Sequence, residues 1–274
     1  MIKNIVAFVA VAGFVAAAVP VEATPPEMVV AEDPAGKTVS LPAHAVEIAP
    51  GIYSLGLAVA PDGRVVEGIV ALHHRDGHSG GPGGGGGGGD TPSSCYAYLA
   101  KDAKWKTIEP WIVNPGTEDL GNAFVVSTLA NSIASWEAAA NADILGFGSS
   151  TAAVLEADMN SPDGVNEVYF ADIAEDGVIG VTITWGIFSG PPFARELVEW
   201  DMVYDDQDFD WSETGEAGKM DFQNIAMHEL GHAMGMGHPD ISCTLETMHR
   251  YASEGEIIKR DLHEGDIAGI GNLY

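Results

Sequence analysis

Basic residues are scarce in this chain. Twelve Lys and Arg stand against forty Asp and Glu, a formal net charge of −28. That balance excludes nucleic acid and anionic membrane surfaces as partners, because both would repel it. It fits a soluble exported protein, a salty habitat or bound calcium, and composition alone does not separate these. Cysteine is nearly absent, with only Cys95 and Cys243. In an exported chain two cysteines are expected to pair. The bond would tie the start of the main domain to a loop just past residue 238. The alternative is a free Cys95 thiol that blocks a metal. Long apolar runs are missing too. Ile5 to Val19 is the longest, short of the ~20 residues that span a bilayer. It follows Lys3 and precedes Val21-Glu22-Ala23, the pattern of a leader cut after Ala23. The mature chain is expected to be secreted, with no membrane partner.

What remains can build a substantial core, with 46% hydrophobic residues over 274 positions. That allows one good-sized domain with an appendage. Residues 24–78 read as a small β-rich segment. Ile52 to Val59 and Val65 to Leu72 flank Pro61-Asp62-Gly63-Arg64, a hairpin with its turn. This segment is either a pro-region or a plain accessory module. His73, His74 and His78 crowd its end. They would serve as metal ligands or, more in keeping with such clusters, lie in a solvated loop. Residues 79–92 contain the unbroken run Gly83 to Gly89, which has the composition of a flexible linker and a site for nicking. The sequence divides there, and residues 93–274 form the second part.

Within that part, Val126, Leu129, Ile133, Trp136 and Ala140 mark one face of a helix. Thr107 to Asn114, Glu167 to Phe170, Val178 to Trp185 and Leu197 to Tyr204 read as strands. A last helix runs through Ile267, Ile270 and Leu273. The order of strands and helices predicts an α+β or α/β class with a mixed sheet.

The chemistry concentrates in His228-Glu229-Leu230-Gly231-His232-Ala233-Met234-Gly235-Met236-Gly237-His238. Histidines four apart on a helix lie one turn apart on one face and can close on a single ion. Glu229 projects beside them. Ala226, Leu230 and Ala233 form the apolar back, and Asp221 is placed to cap the helix. Gly235 can take the left-handed exit that turns the chain, so that His238 supplies a third nitrogen. Three imidazoles leave one tetrahedral corner open, the arrangement of a catalytic zinc site rather than a structural one. Zn²⁺ held by His228, His232 and His238 would lower the pKa of water, and Glu229 would act as general base. Acidic stretches at 158–167 and 205–210 carry groups suited to Ca²⁺. They lack the EF-hand spacing and are expected to be solvated loops, with calcium only a second candidate ion.

These eleven residues resemble the zinc motif of the metzincin metalloproteases, H-E-x-x-H-x-x-G-x-x-H, at every fixed position. Asp266 to Tyr274 resembles the closing helix of the matrixin branch, D-I-x-G-I-x-x-L-Y. The resemblance implies a twisted mixed sheet and an active-site helix in an upper half, with a smaller lower half after the glycine. It implies that Met248 underlies the zinc site as the Met-turn. The P-R-C-G-x-P-D latency motif of animal matrixins is absent. Pro239 follows the third histidine, and Arg250 stands where astacin-like members carry tyrosine. The implied protein is a zinc endopeptidase acting as a monomer on protein or peptide. The alternatives are a non-catalytic zinc-binding protein that keeps the fold, or a protease limited to itself or one partner.

Overall fold

The computed structural model describes residues 38–77 and 94–274. The expected leader, the glycine run and His78 lie outside the described residues. The elements run β1 Thr38–Val39, β2 Val46–Ala49, β3 Ile52–Val59, β4 Val65–Arg75, β5 Ala97–Tyr98, β6 Glu109–Val113, α1 Asn122–Ala140 and β7 Leu145–Ser150. Then come β8 Asn166–Ile173, β9 Val178–Ile187, β10 Glu196–Asp205, β11 Trp211–Ser212, β12 Met220–Asp221, α2 Phe222–Ala233, β13 Met236–Gly237, β14 Tyr251–Ala252 and α3 Glu264–Leu273. This is the α+β class with a mixed sheet, as a metzincin-like catalytic domain requires.

The main sheet has the order β2-β3-β4-β9-β10-β8-β6-β7, with β14 added against β4. The β6–β7, β6–β8 and β8–β10 pairs are parallel, whereas β2–β3, β3–β4, β4–β9 and β9–β10 are antiparallel. The central strands are covered on both faces, which is why they read as near-continuous apolar runs. Alternation sorts their side chains. Val168, Phe170, Trp200, Met202 and Tyr204 join the helix-side core with Trp136, Phe222 and Leu230. Tyr169, Val181, Ile183, Trp185 and Val203 join a second core on the opposite face, with Leu55, Val66, Val70 and Leu72 of the hairpin.

The hairpin therefore belongs to the same sheet as the second part of the chain. The glycine run divides the sequence, but the sheet runs across that division. β4 also extends three residues beyond Leu72, because it is bonded on both sides at its end, by β9 and β14. His73 is accordingly buried within a strand, where the sequence favoured a solvated loop. The acidic stretches are largely exposed loops, as expected, with Asp163, Asp208 and Asp210 exposed. Asp205, at the end of β10, is instead buried and accepts the amides of Gln207 at 2.8 Å and Asp208 at 2.9 Å. Cys95 and Cys243 are bonded to each other, as expected.

Candidate metal and catalytic centre

α2 starts where Asp221 accepts the amide of Asn224 at 3.0 Å, a carboxylate cap on the first turn. Arg260 holds the same carboxylate at 2.8 Å. Ala226, Leu230 and Ala233 are fully buried, as their spacing requires. The helix ends at Ala233, and Gly235 takes φ +98°, a conformation cheap only for glycine. The hydroxyl of Tyr274 donates to the Met234 carbonyl at 3.1 Å, and β13 pairs with β5 directly after the exit. The turn thus carries His238 back beneath the helix.

The three imidazoles converge. His232 Nε2 lies 3.1 Å from both His228 Nε2 and His238 Nε2. The opposite nitrogens face backbone carbonyls: His228 Nδ1 meets Thr247 O at 2.7 Å, His232 Nδ1 meets Met236 O at 2.8 Å, and His238 Nδ1 meets Pro50 O at 3.3 Å. A carbonyl only accepts, so each Nδ1 carries the proton and donates it. Each Nε2 is then a bare lone pair. Burial also holds His228 and His238 well below the usual histidine range and His232 down to about 4. Three unprotonated nitrogens facing one another have no donor among them. A cation resolves that conflict, and nitrogens at about 2.0–2.1 Å from one tetrahedral ion stand roughly 3.3 Å apart. The residues fit a metal of the zinc type, and these three histidines would hold it.

Glu229 is wholly buried beside them. The Thr182 hydroxyl donates to its Oε2 at 2.6 Å, and its Oε1 lies 3.2 Å from His73 Nδ1. Burial pushes the carboxyl up to about 8, with the Thr182 bond pulling the other way. β9 makes room for it at Gly180, where an added Cβ would come within 3.1 Å of Oε1. Below the site, Asp266 accepts the amides of Thr247 at 2.7 Å and Met248 at 3.2 Å. The Thr247 carbonyl is thereby aimed at His228, and Met248 is fully buried in the helix-side core.

The structure thus gathers His228, Glu229, His232 and His238. Sequence reasoning missed Thr182, Gly180 and His73. Thr182 and Gly180 sit in Val-Ile-Gly-Val-Thr-Ile-Thr-Trp, which reads as ordinary strand. His73 was visible only as part of a histidine cluster.

A second gathering joins Asp158, Asp163 and Glu199. Glu199 accepts amides from Asp163 at 3.3 Å and from Gly164. Burial pushes Glu199 up to about 8 and raises Asp158. Among the described residues Asp158 Oδ2 is buried without a hydrogen-bond partner. The matrixin-type motif and the EF-hand spacing give no support for calcium here.

Residues 191–274 match the family model for matrixin. That stretch contains the whole histidine motif, Met248 and the closing helix, so the chain is matrixin-like there. The match points in general terms to a zinc metallopeptidase. No curated protein matches the chain. Among the described residues no helix is long and apolar enough to cross a membrane.

Proposed function

We propose that the chain is a secreted zinc-dependent endopeptidase with Glu229 as its general base and His228, His232 and His238 as its metal ligands. The observation that carries this is the convergence of three bare Nε2 lone pairs beside a buried carboxylate, inside a matrixin-like stretch. Zinc bound there would polarise water and the scissile carbonyl and stabilise the charge that develops on oxygen.

The chain's own residues do the rest. The carbonyls of Thr247 and Met236 fix the tautomers and ring planes of His228 and His232. Glu229 takes a proton from the attacking water and returns it to the departing amine. A carboxyl whose affinity for protons is raised by burial suits both halves of that task. Thr182 leaves Oε1 as the working oxygen by engaging Oε2. The leader-like pattern of residues 1–23, a basic start followed by an apolar run and small residues, is the ground for export, and the disulfide agrees with an oxidising compartment. We divide the chain into a 24–78 segment, a 79–92 linker and a 93–274 peptidase part, acting as a monomer.

The test sets the zinc-loaded chain beside Glu229→Ala, on an unfolded protein substrate. Loss of ~10²–10⁴ in kcat with zinc content unchanged is expected for a general base. A chelator should abolish the wild-type activity. Equal turnover by the two proteins would remove Glu229 from the reaction, and no turnover by either would favour a non-catalytic zinc-binding role.

A further inference from the structure

All but one of the chain's arginines are engaged. Arg64 pairs with Asp62 and Glu196, Arg75 with Glu254, and Arg260 with Asp221. Arg195 donates to the carbonyls of Gly190 at 3.0 Å and Lys101 at 2.6 Å. Arg250 is the exception. Among the described residues its guanidinium makes no hydrogen bond and no ion pair, in a chain where forty acidic residues face twelve basic ones. It is partly buried, so it is not an idle surface charge. Its N–H donors are left to solvent or to a ligand.

The backbone sets where that charge stands. Arg250 lies two residues past Met248 and immediately before β14, and its carbonyl accepts the His74 amide at 3.3 Å. The residue borders a cavity of about 240 Å³ beside the third histidine. Gly237, His238, Tyr98 and Leu99 line one side of it, and Pro50 and Ile52 the other. Arg250 is the only formally charged residue in that lining. The Tyr98 hydroxyl is committed to the Gly269 carbonyl at 2.9 Å, and the His238 nitrogens face Pro50 O and His232. The guanidinium is therefore the side-chain donor that remains. Its charge reaches the centre, where it opposes protonation of His238. It also acts on Asp240, whose carboxylate is already held by the Ser242 amide at 2.9 Å and hydroxyl at 2.7 Å. A second cavity, of about 260 Å³, lies on the other flank of Arg250 and is bordered by Glu47 and Asp176. Only the first adjoins His238 and holds no carboxylate, so an incoming acid meets no rival there.

Apolar walls, one arginine and no acid select a carboxylate. The planar guanidinium matches the two oxygens of such a group, and partial burial makes the contact stronger than in open water. Position adds to this. A cation beside three metal-ligating histidines opposes the binding of a second cation, and a carboxylate seated between the two relieves that repulsion. The net charge of −28 repels acidic peptides at long range. That field is screened beyond about 8 Å at physiological salt, so a contact made inside the cavity outlasts it. We infer that Arg250 sets substrate choice, and that the centre acts on peptides presenting a carboxylate beside the bond that is cut. This rests on the peptidase reading. The carboxylate has two possible sources, an Asp or Glu side chain and the free carboxyl end of a short peptide, and both offer the guanidinium the same group.

The test uses the full zinc-loaded chain and a set of amidated, otherwise neutral quenched peptides that carry Glu, Gln or Lys on either side of the bond to be cut. A further neutral peptide ends there in a free carboxylate. Turnover is read for each. Binding of the same peptides is read by fluorescence anisotropy on the Glu229→Ala protein, with zinc content measured throughout. The Glu peptide should exceed the Gln peptide at least ~10-fold in kcat/KM, mainly through KM, as a charge-assisted contact predicts. Added salt should shrink that ratio. Arg250→Ala should bring it close to one, Arg250→Lys should keep part of it, and Arg250→Glu should turn the preference towards the Lys peptide. A preference carried by Glu makes the recognised group a side chain; one carried only by the free carboxylate makes it a chain end. The inference is overturned if Glu and Gln peptides turn over alike, if the preference survives in Arg250→Ala, or if that change lowers kcat equally for every peptide. Turnover without charge preference leaves the peptidase reading standing. Arg250-dependent binding of the Glu peptide by a protein that hydrolyses nothing sinks that reading and leaves the carboxylate site. A chain that neither binds nor cuts any of the peptides sinks both.

Discussion

Among the described residues three groups of side chains are close enough to hold an ion, two of them sharing His228; the three-histidine group and the acidic group solve their crowding in opposite ways. In the histidine group every second nitrogen is committed to a backbone carbonyl, so the converging nitrogens have no proton to share. In the acidic group Glu199 takes two amides, and burial raises its affinity for a proton, which would relieve the repulsion from Asp158 and Asp163 without an ion. The first group has three facing lone pairs and no proton among them; the second can relieve its crowding by taking up a proton at Glu199. Proximity of ligand atoms is therefore a weak criterion, and the accounting of protons decides between the two.

The comparison can be broken most severely at His232, whose Nε2 touches both other imidazoles. His232→Ala should eliminate stoichiometric zinc by metal analysis and activity with it. The matching change in the acidic group, Asp158→Asn, should leave zinc content untouched. Thr182→Val is expected to act next most strongly. It removes the 2.6 Å bond to Glu229 and should lower kcat about tenfold or more, with KM and zinc unchanged, since a charge-assisted bond is worth roughly 1.5–3 kcal/mol.

A smaller effect concerns pH. Glu199 is raised from 4.5 to about 8 by burial. A raised carboxyl binds its proton more tightly in the folded state. The stability it contributes is therefore complete below pH 4.5 and is lost as pH rises through about 8. Glu199→Gln mimics the protonated form. It should flatten the fall in stability over that window and leave the variant about 1–3 kcal/mol more stable than the parent near pH 8, relative to their difference at pH 4.5. Urea titrations at the two pH values would measure it. The smallest effect should be that of calcium. Millimolar Ca²⁺ should not shift the midpoint of thermal unfolding, and a clear rise lost in Asp158→Asn would reverse our reading of the acidic group.

Much of this was legible because it is local. The four-residue spacing of His228 and His232, the cap at Asp221 and the glycine exit are all decided within a few turns of chain. The helix face of α1 likewise follows from its own period, with Leu129, Ile133, Trp136 and Ala140 buried as read. What was not legible depends on partners far away in sequence. Nothing in Val65–Arg75 states that its neighbours are Val178–Ile187 and Tyr251–Ala252. His73 was judged from its neighbours in the chain, where three histidines beside a glycine run suggest solvent. Its burial comes from strands more than a hundred residues on. Thr182 was hidden for a related reason: threonine in a strand is common, and only the arrival of Glu229 gives its hydroxyl a task. Asp266 was seen as part of a family signature, yet its physical role is to hold the backbone that aims His228.

The bond between Cys95 and Cys243 gains a meaning from its position. Cys95 stands just beyond the glycine run, and Cys243 lies five residues past His238. A chain opened in that run would keep its new front end fastened beside the third histidine, so that departure of the forward piece could not peel the remainder apart. Thiol reductants would then unfasten the loop that carries His238 without touching any imidazole, and loss of metal under reduction would report on that fastening.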